Sequence, residues 1–534
     1  MQHAMLPTTP SFERLALNRA TFGARSADEA YVQQIGWESW VEQQLSPPPG
    51  DDPEVASLIA NSTLKIKYGS KTNAHGGWSA VDEDRPLITL NASPLALWNI
   101  YQQRNKTLPG KEVFRITEEV VAASWMRATH SAYQVRELMV DFWHNHFNVA
   151  IKQTPTVATG TAAYDRDVVR PHVFGNFRDM LEANATSVSM LYYLDNATSK
   201  AQLPNENYAR ELLELHTLGE DVYYGQSDPD SVSKYATGIA IGFTDTDVVE
   251  ASRALSGWTV GSGKRLGKFG KLPTTGEFHY EPLMHNEEAG TFMGQDLSSL
   301  SGDMEQGRAI LDIAAEHDAT AIFLCNKICR RFFGDDPPSN IVNAAATTWI
   351  ANQSQPDQLR RVMETILLSS EIGSPASKLR LPFEKTVAFM RAVGATAVPH
   401  RSMFNLLKKA PDQIFTWPGP NGHPDVDGYW LSSTALMTEW NALLTVLNRS
   451  MTDVSITDES IATDSVTELV EDWVGRIVGF ELSGTKMNQL IDFAMGLNGV
   501  LTYVGQKSSS AKTVEYHLRR LVGVIATADE FAYR

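Results

Sequence analysis

Residues 132–147 read AYQVRELMVDFWHNHF, and residues 116–130 just before them read ITEEVVAASWMRATH. In both runs apolar residues recur three and four apart, the spacing of one helical face. The same period returns at 305–333, 357–370, 382–393, 432–449, 465–479, 486–499 and 514–526, with the first of these broken near His317. After Pro204, the run NENYARELLELHTLG predicts a helix capped by Asn205 and stopped at Gly219. Thr244 followed three residues later by Asp247 is a capping-box pattern that opens another. Strand signals are few. Alternation around Glu277–Tyr280, within the Gly- and Lys-rich stretch 257–280, predicts one or two hairpins. Residues 46–52, 68–86, 416–428 and 452–465 read as loops. The expected fold class is therefore mainly α: a large multi-helix globular fold with a small β-hairpin insertion at about 257–300.

Working outward, composition narrows the function classes. The 534 residues are 43% hydrophobic and 20% charged, which excludes disorder for the bulk of the chain. Acidic residues outnumber basic ones, 63 to 46, for a net charge of -17. That balance argues against a general nucleic-acid or anionic-membrane binder, which needs clustered Lys and Arg. Only two cysteines, Cys325 and Cys329, are present, too few for a disulfide framework. They sit four apart on an apolar helix and read as buried, inert thiols. The N-terminus lacks a basic start followed by an apolar run, and no stretch matches a spanning helix. The expectation is a chain without an export signal: cytoplasmic, or periplasmic or secreted if the N-terminus was trimmed. The expected partner is a small molecule or a glycan.

Phosphate-loop, nucleophile-elbow and zinc-helix motifs are all absent. The densest polar constellation lies on two helices. On the first, Glu137, Asp141 and His144 share a face, while Leu138, Phe142 and Trp143 would pack. His146 points elsewhere unless the helix unwinds near Asn145 and Asn148. On the second, Asn207, Glu211 and Glu214 form a stripe beside Arg210, with His216 in the last turn. A carboxylate three residues before a histidine suits a divalent metal in a helical bundle, so Asp141, His144, Glu211 and Glu214 are candidate ligands. Without metal, the same groups suit acid–base work. The structural alternative is a Glu206–Arg210 ion pair, His216 favoured by a helix C-terminus, and Asp141 bonded to His144. Asp245 and Asp247 read as caps. Trp417, Tyr429 and Trp430 flank a Pro/Gly loop with His423, Asp425 and Asp427, read as a loop pinned to the core by its aromatics.

Several segments carry a resemblance. LNRATFGAR (17–25), RELMVDFWHNHFNV (136–149), PNENYARELLELHTLG (204–219), DVVEASRALSGWTV (247–260) and HDATAIFLCNKICRRFFGDDPP (317–338) resemble the bacterial domain-of-unknown-function-1800 family, over roughly 12–450. The resemblance implies a mostly helical, commonly exported bacterial protein, with no established reaction. Its motif residues include Arg136, Glu137, Asp141, His144, Asn145, His146, Asn205, Glu206, Asn207, Arg210, Glu211, Glu214 and His216. Asn286 after His285 and Asp318 after His317 depart from its pattern.

Three functions are expected from these residues. The first is a hydrolase whose site lies between helices 132–147 and 205–218, with Asp141, His144, His146, Glu211 and Glu214 as catalytic groups and Asn207, Arg210 and His216 as substrate-binding groups. The second is a carbohydrate-active enzyme with paired carboxylates and aromatic platforms. The third is a non-catalytic binding or assembly protein, whose polar helices form a satisfied network with no adjacent cavity. The expected organisation is a family-like domain over 12–450 and a helical extension over 451–534 packed on it.

Overall fold

The histidine-bearing helix spans Gln134–His146, and Leu138, Met139, Phe142 and Trp143 are all buried along it. It packs against a longer helix, Gly110–His130, whose residues are buried on nearly every side. A computed structural model describes residues 6–534, apart from 268–269, 289, 376–377, 398–413, 448–453, 464 and 498–510. The fold is mainly α. Among the described residues, β structure is limited to three two-stranded antiparallel sheets and isolated bridges.

Several local expectations hold for the reasons given. His317 separates Glu305–Glu316 from Asp318–Phe333 and caps the second helix by accepting from the Ala319 amide. Asn205 accepts from the Tyr208 amide, and Thr244 and Asp247 form the reciprocal capping box. Gly219, at φ 89°, ends its helix in a conformation that glycine adopts without strain. The hairpin Trp258–Ser262 with Thr274–Tyr280 runs in register from Trp258↔Tyr280 to Ser262↔Thr274, with an irregularity after Val260.

Two features depart from the sequence reading. Residues 68–86 are not a bare loop: Thr63–Tyr68 pairs with Val81–Pro86, from Thr63↔Pro86 to Tyr68↔Val81. The first strand alternates, burying Leu64 and Ile66 between outward lysines. Its partner, VDEDRP, carries charges throughout and so gives no alternating signal. The helix after Asn205 is α-helical only over Glu206–Glu211 and continues as a π-helix over Leu212–His216. Another π-helical stretch, Tyr164–Val169, follows the Pro155–Ala163 helix. Such stretches shift the facing of later side chains and are frequent at functional sites.

One apolar cluster runs from Ala16 to Phe531. The Pro382–Ala392 helix joins its two ends, packing on Gly110–His130 and also on Ser433–Val446 and Val466–Ile477. The boundary expected at 450/451 lies outside the described residues. No helix among the described residues is long and apolar enough to cross a membrane.

Candidate functional site

Asp141, His144 and His146 leave the histidine helix in different directions and meet different partners. His144 Nε2–H donates to Asp165 Oδ1 at 3.0 Å. Asp165 sits on the π-helical stretch Tyr164–Val169 and also accepts from Arg127 at 3.0 Å and Arg170 at 2.9 Å. Arg170 reaches back to Glu137, which pairs with Arg136 as well. Burial alone would raise the Asp165 carboxyl, but Arg170, His144 and Arg127 outweigh it and hold it far below the usual carboxylate range. Thus Glu137 and His144 are joined through Asp165 and Arg170. The alternative of an Asp141–His144 hydrogen bond does not hold.

Asp141 instead accepts from Arg331 at 2.6 Å. It lines a cavity of about 230 Å³ with Asn145, His146, Lys327, Arg330, Arg331, His423 and Asp425. The walls are the histidine helix, the Asp318–Phe333 helix and the loop 421–425. Asn145 clamps that loop like a strand neighbour, donating to the His423 carbonyl at 3.1 Å and accepting from the His423 amide at 2.8 Å. Asn148 donates to the carbonyls of Trp417 and Gly419. Gly422, at φ +71°, passes so close that a Cβ there would lie 2.2 Å from the Asn145 carbonyl oxygen.

Inside the cavity, Lys327 Nζ donates to His146 Nδ1 at 3.0 Å, and His146 Nε2–H donates to the His216 carbonyl at 3.1 Å. Both His146 nitrogens are therefore engaged, and the ring is held neutral by burial and by Lys327. Burial lowers Lys327 to about 8, while Asp425 opposes the shift. Burial raises Asp141 to about 6 against the pull of Arg331. His423 is lowered by burial to about 4. Asp425 pairs with buried Lys378 at 2.7 Å, which, with Arg331, outweighs burial and lowers it to about 2. Arg330 Nε is buried without a hydrogen-bond partner.

The second expected helix contributes differently. His146 and His216 do meet, with ring centroids 6.2 Å apart. His216 is fully buried, neither ring nitrogen has a partner, and burial lowers it to about 3. Arg210 pairs with Glu214 and Asp245, rather than with Glu206, which is exposed. Asp245 accordingly serves as an ion-pair partner and as an acceptor for Tyr223, not as a cap. Glu211 is partly buried, and burial together with Glu214 raises it. Asn207 is exposed. Among the described residues no three His, Cys, Asp or Glu converge as a metal set, so Asp141, His144, Glu211 and Glu214 do not form the expected ligand cluster.

Asp165, Arg127, Arg170, Lys327 and Arg331 were not singled out by the spacing argument. Their signal in the sequence is a charge inside an apolar helical stretch, as in SWMRATH and FLCNKICRRFF, where a buried ion must have a partner.

The sequence profile of a family described as Protein of unknown function (DUF1800) matches residues 15–533. The chain belongs to the DUF1800 family. The match continues past residue 450 and takes in the C-terminal helices, so DUF1800 membership covers almost the whole chain. No curated protein and no solved structure matches it. Within this DUF1800 chain, the crowded polar motif of the histidine helix divides into three jobs. Asn145 holds a loop, His144 anchors a buried ion network, and Asp141 with His146 faces a cavity.

Proposed function

We propose that the chain is an enzyme performing general acid–base chemistry, with hydrolysis as the reaction class, in the cavity between the histidine helix and the Asp318–Phe333 helix. One observation carries this reading: Asp141, Lys327, Arg331 and Asp425 come from three separate segments yet line one cavity of about 230 Å³. Ionisable groups gathered in a cleft with shifted proton affinities are the usual setting for proton transfer. In this reading Asp141 takes the proton from an attacking water, and the Lys327 ammonium donates one to the leaving group. His146 is a positioning residue that fixes Lys327. Arg330 binds an anionic oxygen of the substrate. His144, Glu211 and Glu214 have no direct part, which revises the roles expected from spacing. The test is a panel of carboxylic, phosphoric and sulfuric esters and amides, run on wild type, Asp141→Asn and Lys327→Met. Loss of an acid or base is expected to lower kcat by ~10²–10⁴-fold. Full turnover in both variants removes the assignment.

A second reading, carbohydrate processing, is favoured by Trp417. Its ring lies 6.5 Å from that of His423 and 6.0 Å from that of the exposed Tyr429, beside the same cavity. Aromatic faces of this kind stack on sugar rings. A polysaccharide panel that shows neither binding nor cleavage eliminates it.

A further inference from the structure

A second and larger cleft lies beside the buried ion network of His144 and Asp165. Its volume is about 620 Å³, and its lining contains Arg127, Arg136, Arg166, Arg170 and Arg360 against Asp51 and Asp165. Five guanidinium groups at one cleft stand out in a chain of net charge -17. Several are already neutralised. Arg127 pairs with Asp51 and Asp165, Arg170 with Asp165 and Glu137, and Arg166 with Asp167.

Arg136 is also paired, with Glu137, but differs in keeping a donor unused. It is more than nine-tenths buried, its Nε donates to Glu137, and its Nη1 donates to the carbonyls of Gly50 and Pro48. Its Nη2 is buried with no hydrogen-bond partner, although the residue lines the cleft. A buried guanidinium N–H left unpaired costs free energy that an oxyanion there would recover. Arg360 is also in the lining, with only loose partners, Asp357 at 3.9 Å and Glu364 at 3.4 Å.

The remaining wall is mostly apolar, with Pro47, Pro48 and Pro49, Leu90 and Phe174, and includes the polar Ser46 and Asn91. A cleft of this size with apolar walls and a few fixed polar groups matches the general form of small-molecule sites.

We propose that this cleft binds a small organic oxyanion, a phosphate or sulfate monoester, with its anionic head on Arg136 and Arg360 and its apolar or ring-bearing body against the Pro47–Pro49 wall. Arg136 offers such a head its Nη2 N–H groups and Arg360 supplies a second guanidinium, both as charge-assisted donors. The site is separate from the cavity of Asp141 and Lys327, so the two assignments stand or fall independently.

The test is titration calorimetry on the full chain with phenyl phosphate, phenyl sulfate, inorganic phosphate and phenol. Phenyl phosphate is expected to bind saturably and more tightly than inorganic phosphate or phenol alone, because head and body both contribute. The phenyl sulfate arm distinguishes the two head groups. Arg136→Lys keeps the charge but removes the unpaired Nη2 donor, and is expected to weaken binding by about tenfold or more. Arg360→Gln, a change at a partly exposed side chain that leaves the fold alone, is expected to weaken it several-fold. The component lost in these variants persists in Lys327→Met. Absence of binding to wild type overturns the proposal, as does binding that survives both arginine changes or disappears in Lys327→Met.

Discussion

Replacing Asp165 by Asn tests the ion network behind the histidine helix most directly. The carboxylate is 3% exposed and accepts from His144, Arg127 and Arg170 at 2.9–3.0 Å. Removing one partner of a buried ion set generally costs ~3–5 kcal/mol, because the other charges lose their compensation. Here each arginine keeps another carboxylate, Asp51 for Arg127 and Glu137 for Arg170, which places the expected loss at the lower end, about 3 kcal/mol at neutral pH. The pH dependence has a definite sign. The folded carboxyl is held well below its unfolded value, so its contribution is complete above the unfolded value of about 3.9 and shrinks as pH falls below it. The gap between wild type and Asp165→Asn is therefore expected to narrow by ~1.4 kcal/mol per pH unit below pH ~4. Urea unfolding followed by tryptophan fluorescence, at pH 7 and at steps from pH 4 to pH 3, measures both quantities. A loss under ~1 kcal/mol at pH 7, or a gap that stays constant through the acid range, refutes the electrostatic account.

Three further outcomes follow from the same geometry. With Asp141 raised to about 6 and Lys327 lowered to about 8, kcat/KM is expected to rise as pH passes 6, when Asp141 becomes a base, and to fall above 8, when Lys327 loses its proton; in Asp141→Asn the acidic limb should vanish from the rate profile. His216→Leu removes a buried ring with two unpartnered nitrogens, so stability at pH 7 should hold or improve. The wild-type ring, lowered to about 3, refuses the proton that the unfolded chain takes up below about 6.5, so thermal melts of the variant should show a shallower decline from pH 6.5 to pH 5. Gly422→Ala meets both a left-handed φ and the Asn145 carbonyl, and is expected to cost ~1–3 kcal/mol and to lower activity by displacing His423, read out by denaturation and by the ester panel.

The sequence by itself determined the helical class of this protein, because three-and-four spacing of apolar residues is a local property with one compact solution. It also determined helix ends such as Asn205, Thr244 and His317, where the capping atoms lie within three residues of the groups they satisfy. The hairpin partner VDEDRP escaped, since a strand that buries almost nothing has no alternating pattern. For the site, helical spacing identified Asp141, His144 and His146 as chemistry-bearing residues but could not say what each would face. Tertiary structure decided that Asp141 meets Arg331, His146 meets Lys327 and His216, and His144 meets Asp165. The reason is physical: a charge removed from water must be compensated by whatever the packed helices bring within about 3 Å, and for Asp141 that partner lies 190 positions away in the chain. Spacing along one helix fixes which side chains share a face, and only the packing of distant helices selects the charges that complete it.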